Sequence, residues 1–203
     1  MVSTEKKFIF IHIPKTGGNS IQRMLLPYAD DRLSVENPNQ DGVQRFGIVN
    51  QYGLQKHATL VEYRAKLPRP LFDSCFIFSC IRNPWERAIS YYFSPHRGNV
   101  SWDRCQFVEC LKEMRPVSDY LGGVTASNIQ RLDGIDFVIR FENLDPDFER
   151  LCEILNIKRK MLPRINASNR APYEAYYDAE LIKKVESLFS EEILLGGYTF
   201  GDG

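Results

Sequence analysis

The segment Pro14-Lys15-Thr16-Gly17-Gly18-Asn19-Ser20 gathers an amine, hydroxyls and adjacent glycines directly after the apolar run Phe8-Ile-Phe-Ile-His-Ile13. Glycines let a backbone curl until successive N–H groups converge on one point, and a helix beginning there adds its positive end. Such a loop suits an anion of the phosphate or sulfate type. The amphipathic stretch Ile21 to Leu26 supplies the helix, so strand, glycine loop and helix follow in order. Lys15 stands before the glycine pair, unlike the lysine of the G-x-x-x-x-G-K-[ST] loop, so an ordinary kinase or GTPase loop is disfavoured. The other reading of these residues is a tight turn that needs glycine and happens to hold a lysine.

A second anion site is expected where the apolar run Phe76-Ile-Phe-Ser-Cys-Ile81 ends in Arg82 and passes into Asn83-Pro84-Trp85-Glu86. That tetrad combines an N-cap, a first-turn proline and a capping glutamate, so a helix starts there. Ser90 lies close to two turns beyond Asn83 and returns to the face on which the helix begins, so Arg82 and Ser90 can bracket one anion. A purely structural Arg82 would instead need a carboxylate partner such as Glu86. Ligands of open α/β sheets sit beyond the carboxyl ends of the strands, where both candidate sites fall. Two anion sites on adjacent strand ends fit a nucleotide phosphorylated at two positions better than a single triphosphate chain.

Three strands are expected to carry these loops, at Phe8 to Ile13, Phe76 to Ile81 and Phe137-Val-Ile-Arg-Phe141. Each is nearly continuous in apolar residues, as a strand buried on both faces must be. Helices are expected from the Thr59-x-x-Glu62 capping box through about Leu67 and from Asp145-Pro146 through about Leu155. Others are expected at Ser20 to Leu26, Ser101 to Met114 and Asp178 to Phe189. The polar stretch from Tyr28 to Lys56 reads as a surface excursion. The order of elements implies an α/β fold with a central, mostly parallel sheet.

At 203 residues and 43% hydrophobic, the chain suffices for one substantial core, so residues 1–203 are expected to form a single domain. Lysine plus arginine equals aspartate plus glutamate, at 26 each, so no global field attracts nucleic acid or an anionic membrane. No apolar run near the start approaches a membrane span and no leader pattern is present, so a cytoplasmic protein is expected. The cysteines Cys75, Cys80, Cys105, Cys110 and Cys152 show no C-x-x-C pair and read as structural thiols. The sequons at Asn99 and Asn166 read as chance matches.

The segments Phe8 to Ile21, Phe78 to Phe93 and Arg140-Phe-Glu-Asn-Leu144 closely resemble PAPS-dependent sulfotransferases of the carbohydrate type. Leu162 to Arg170 and Tyr173 to Tyr177 extend the likeness, which is nearest to the heparan sulfate 2-O-sulfotransferases and small bacterial homologues. The resemblance implies a P-loop-like, three-layer fold. It implies 3′-phosphoadenosine 5′-phosphosulfate (PAPS) as donor and adenosine 3′,5′-bisphosphate as product. Lys15, Thr16, Gly17, Gly18, Asn19 and Ser20 would hold the 5′-phosphosulfate and Arg82 with Ser90 the 3′-phosphate, while Ser168 and Arg170 would come from a late loop closing over the nucleotide. Asn19 departs from the family's usual hydroxyl residue, and no membrane anchor like that of Golgi relatives is expected.

Sulfuryl transfer to an alcohol requires removal of the hydroxyl proton as the new bond forms. His12 lies inside a strand and reads as a packed core residue, and His96 sits in a loop without a motif. His57 stands two residues before the Thr59 cap, where the positive helix end favours the neutral, proton-accepting imidazole. Lys56-His57-Ala-Thr-Leu-Val-Glu-Tyr also resembles the family segment carrying the catalytic histidine, with Gln55 where some relatives have a second one. His57 is therefore the expected base and Lys15 the group that stabilises charge on the leaving nucleotide. No metal is expected. The acceptor is a hydroxyl of a carbohydrate or small molecule, with the segments 28–56 and 94–101 expected to build its site. The rivals are a nucleotide-dependent phosphotransferase (kinase) and a noncatalytic sensor of bisphosphorylated adenosine.

Overall fold

The computed structural model describes residues 1–37, 45–94, 100–122, 134–159, 161–163 and 170–201. Its main sheet runs in the order β1 (Val2–Ser3), β2 (Phe8–Ile11), β5 (Phe76–Ile81) and β6 (Phe137–Arg140). The last three are parallel, with Phe8 opposite Phe76 and Phe78 opposite Phe137, and β1 adds an antiparallel edge.

Alternation along the strands explains the unbroken apolar runs. Phe8 and Phe10 of β2 join Phe78, Cys80 and Ile139 in a core against Ile21 and Leu25 of α1 (Gly18–Leu25) and Phe148 and Leu151 of α7 (Leu144–Ile154). Ile9, Ile11, Ile77 and Ile81 face the other way. There they meet α2 (Leu60–Lys66), α4 (Pro84–Tyr92), α5 (Arg104–Glu113) and α8 (Ala179–Leu188). Helices thus cover both faces of the sheet, which is why each strand had to be apolar throughout.

The expected helix starts hold at Thr59 and Asn83. Thr59 Oγ1 accepts from the Glu62 amide at 3.2 Å while Glu62 Oε2 accepts from the Thr59 amide at 2.7 Å. Asn83 Oδ1 accepts from the Trp85 and Glu86 amides at 3.1 and 3.3 Å. Elsewhere the bounds move: α1 begins at Gly18 rather than Ser20, and α7 at Leu144, one residue before the expected Asp145. The segment from Tyr28 to Lys56 is more ordered than a surface excursion. It holds an antiparallel pair, β3 (Arg32–Asn37) and β4 (Arg45–Val49), with a register shift between Leu33 and Glu36. The short helices α3 (Arg69–Ser74), α6 (Val117–Tyr120) and α9 (Ser190–Gly196) were not expected from the sequence.

All five cysteines are free thiols, and only Cys105 is exposed. Among the described residues no helix is long and apolar enough to cross a membrane.

Candidate active site

The glycine loop opens at the carboxyl end of β2, and its carbonyls from His12 to Gly17 are all taken by neighbouring donors. His57 Nδ1–H donates to His12 O at 2.8 Å, Thr16 Oγ1–H to Ile13 O at 2.9 Å and Arg87 Nε–H to Pro14 O at 3.2 Å. Arg82 Nη1–H reaches Lys15 O at 3.2 Å, Cys80 Sγ–H reaches Thr16 O at 2.8 Å and the Ser20 amide reaches Gly17 O at 3.0 Å. In a planar trans peptide the next N–H points opposite to the carbonyl. Pinning these carbonyls against the surrounding protein therefore turns the amides of Lys15, Thr16, Gly17 and Gly18 away from those partners, the arrangement that an anion-binding loop requires.

Two backbone features fit this curl. Gly17, the N-cap of α1, has φ +84° in the left-handed region, and Lys15 adopts φ +70° despite its side chain. Gly18 is required for space instead, because a Cβ there would lie 2.2 Å from His12 Cδ2 and 2.4 Å from its Nε2. The His12 ring is buried and cannot retreat. Gly18→Ala is expected to destabilise the protein by about 1–3 kcal/mol and to abolish anion binding, checked by thermal denaturation and nucleotide titration.

Positive charge converges on this loop from three elements. The Lys15 ammonium is pushed down to about 8, first by burial and then by the Arg82 and Arg170 guanidiniums beside it. Burial, and then Arg170, also lowers Arg82, which Glu86 opposes. Arg82 stacks over the Phe141 ring at 3.8 Å and pairs with Glu86, and Arg170 binds the same carboxylate at 2.6 Å. Three cations gather around the Glu86 carboxylate, with Glu142 the second acidic group acting on Arg82. Arg82 thus has the carboxylate partner of a structural arginine, yet its group as a whole remains cationic. Because Arg82 touches the Lys15 carbonyl, the two expected anion sites form one continuous strip.

Ser90 lies one helical turn beyond Glu86 on the same face of α4 and is half-buried. Asn19 is half-buried in the first turn of α1. Thr16 and Ser20 are buried with their hydroxyls engaged, Ser20 Oγ–H donating to Pro163 O at 2.7 Å. Ser168 and His96 lie outside the described residues.

The histidine expected to act as base is exposed at the edge of the same site. A carbonyl carries no proton, so Nδ1 is the donor in the bond to His12 O, and in the neutral form of the ring Nε2 is the nitrogen that can accept. Its ring meets that of His12 edge to face, with centroids 4.6 Å apart. His12 follows β2 and is 3% exposed, as a packed residue should be, but it is more than filler. Its Nδ1–H donates to Gln22 Oε1 at 3.1 Å while its ring underlies Gly18 and flanks His57. Burial, then His57 and Lys56, hold His12 well below its ordinary range, so it stays neutral. Lys56 itself is pushed down to about 8 by burial.

Sequence reasoning missed the strut behind the loop. Arg87 is 2% exposed and grips Glu192 of α9, itself 2% exposed, at 2.7 and 2.9 Å. Its remaining nitrogens hold Pro14 O at 3.2 Å and Arg115 O at 2.7 Å, while Glu192 also accepts from the Val117 amide at 2.6 Å. Glu142 likewise anchors backbone, accepting from the Asn83 amide at 2.6 Å and from Tyr198 Oη–H at 3.0 Å. Its place one residue after the 3₁₀ turn begins at Phe141 gave no sequence signal for either partner. Among the described residues no cluster of histidine, cysteine and acidic side chains could hold a metal ion.

A model of the sulfotransferase family matches residues 1–108, a stretch that contains the glycine loop, His57, Arg82 and Ser90. The chain belongs to the sulfotransferase family. No curated protein sequence matches this sulfotransferase. Among solved structures it is similar to a mouse sulfotransferase, SULT7A1, complexed with PAP, at 14% identity and a TM-score of 0.53. The alignment covers 95% of this chain and 85% of that one, so the likeness is one of fold. The sulfotransferase fold with its central, mostly parallel sheet agrees with the architecture expected from the strand runs.

Proposed function

We propose that this protein, as one domain over residues 1–203, transfers the sulfuryl group of PAPS to a hydroxyl of a carbohydrate or small-molecule acceptor. What supports the reading is one observation above all: an imidazole fixed by the His12 carbonyl beside a glycine loop on which Lys15, Arg82 and Arg170 gather. The mouse structure of the same fold carries PAP, the product such a donor leaves.

PAPS supplies the reaction's electrophile, its sulfur passing from the bridging oxygen of the nucleotide to the acceptor oxygen in line. The loop amides with Lys15, Thr16, Gly17, Gly18, Asn19 and Ser20 bind the 5′ end, while Arg82, Ser90, Arg170 and Ser168 bind the 3′-phosphate side. His57 Nε2 takes the acceptor hydroxyl proton as the oxygen–sulfur bond forms. The Lys15 ammonium stabilises the charge arriving on the leaving bridging oxygen. The acceptor approaches over the exposed edge of His57, and the segments 28–56 and 94–101, of which 38–44 and 95–99 lie outside the described residues, contribute to its recognition; the protein acts in the cytoplasm. The carbohydrate preference rests on the sequence resemblance.

Titration calorimetry with adenosine 3′,5′-bisphosphate tests the reading. Bound phosphate favours the charged amine, so binding raises the Lys15 pKa. At pH 8 the free amine is about half protonated, and binding takes up about half a proton per site, read from buffers of different ionisation enthalpy. Affinity falls as pH rises above that range. Heat with magnesium-ATP but none with the bisphosphate would favour a phosphotransferase instead.

A further inference from the structure

The cation strip contains an anion of its own. Glu86 Oε1 accepts from Arg82 Nη2 and, at 2.6 Å, from Arg170 Nη2. The three side chains are 20%, 11% and 10% exposed, so all are largely withdrawn from water. Arg82 and Glu86 are neighbours along one helix flank, whereas Arg170 reaches the same oxygen from 84 residues away. Two guanidiniums repel each other, and burial strengthens that repulsion. Their shared carboxylate is what lets them stand together.

We infer that Glu86 is a positioning residue for the 3′-phosphate, holding Arg82 and Arg170 as a pair so that both can engage one phosphate group. This rests on the nucleotide reading above. Glu86 makes no bond to the ligand itself; it acts through Arg170. Oε1 takes one nitrogen from each guanidinium, while Arg82 Nη1 donates to Lys15 O and Arg170 Nη1 to Ala171 O, so the carboxylate fixes how the two forks face each other. Arg82 Nε is a buried donor with no acceptor among the described residues. Replacing the Glu86 carboxylate by a neutral amide would leave Arg170 facing Arg82 and Lys15 without the carboxylate that bridges the two guanidiniums, and Arg170 would move away from Arg82. The loop carbonyls other than that of Lys15 are held by partners outside this trio, so the loop would keep its geometry.

The test compares binding of adenosine 3′,5′-bisphosphate and adenosine 5′-monophosphate to wild type, Glu86→Gln, Glu86→Asp, Arg170→Ala and the Glu86→Gln/Arg170→Ala double variant. Glu86→Gln is expected to weaken the bisphosphate by about tenfold and the monophosphate far less, removing most of the preference for a 3′-phosphate. Glu86→Asp, which keeps the charge, retains part of that preference. The double variant is expected to bind no more weakly than Arg170→Ala alone, because both changes remove one arrangement. Tighter bisphosphate binding by Glu86→Gln would overturn the inference and make Glu86 a competitor of the ligand. Equal loss for both nucleotides, or additive losses in the double variant, would also overturn it. Wild type binding neither nucleotide would overturn the nucleotide reading itself, and this inference with it.

Discussion

His57→Ala lowers kcat by about 10²–10⁴-fold while leaving affinity for adenosine 3′,5′-bisphosphate nearly unchanged, the range that a positioned base contributes to proton removal. The separation of the two effects follows from the geometry. His57 joins the site through its bond to the His12 carbonyl and lies at its exposed edge, whereas the Pro14 and Lys15 carbonyls of the loop are held by Arg87 and Arg82. The measurement is transfer of label from PAPS to a panel of sugars, phenols and alkyl alcohols, with calorimetry on the same preparations. Turnover close to that of wild type would remove His57 from the mechanism. Tight nucleotide binding with no transfer to any acceptor, by wild type as well, would point to a sensor.

Arg87→Ala is expected to cost about 3–5 kcal/mol of stability, because it strands the Glu192 carboxylate in the interior. For a domain of this size that corresponds to a fall in Tm of roughly 6–20 °C. Burial already raises the Glu192 pKa, and the Arg87 charge opposes that rise. Removing Arg87 lifts it further, so the native variant binds a proton that the unfolded chain releases. Its stability then falls as pH rises from the ordinary glutamate range through the raised value, and the deficit is smallest in acid. Denaturant melts of wild type and variant across pH check both size and sign. An Arg87→Met/Glu192→Leu pair recovers only part of the loss, because the Pro14 and Arg115 carbonyls and the Val117 amide still lose their partners.

The parts of this protein that were legible in its sequence are those whose cause is local. Phe8 to Ile11 and Phe76 to Ile81 announce buried strands because both faces must be apolar. The Thr59 and Asn83 caps announce helix starts because donor and acceptor lie within a few residues. The glycine loop belongs to this class, since its curl, its lysine and the helix behind it are contiguous. Arg32-Leu-Ser-Val-Glu-Asn37 was local too, an alternation of period two, but its polarity hid it inside a stretch read as irregular.

What the sequence concealed is pairing at a distance. Nothing near Arg87 names Glu192, and nothing near Glu86 names Arg170, although Arg82 with Glu86 was visible as an alternative. His12 shows the same limit from another side. Its place at the end of an apolar strand correctly says that it is buried, but not that its carbonyl and ring would form the seat of His57.

The contacts across the chain bear on where its function resides. The family pattern ends at residue 108, yet the loop leans on side chains and backbone that arrive later: Phe141 against Arg82, Pro163 on Ser20, Arg170 on Glu86 and Glu192 on Arg87. The stretch matched by the family model is therefore held in place by partners that follow it in the chain, Glu192 lying 105 residues beyond Arg87.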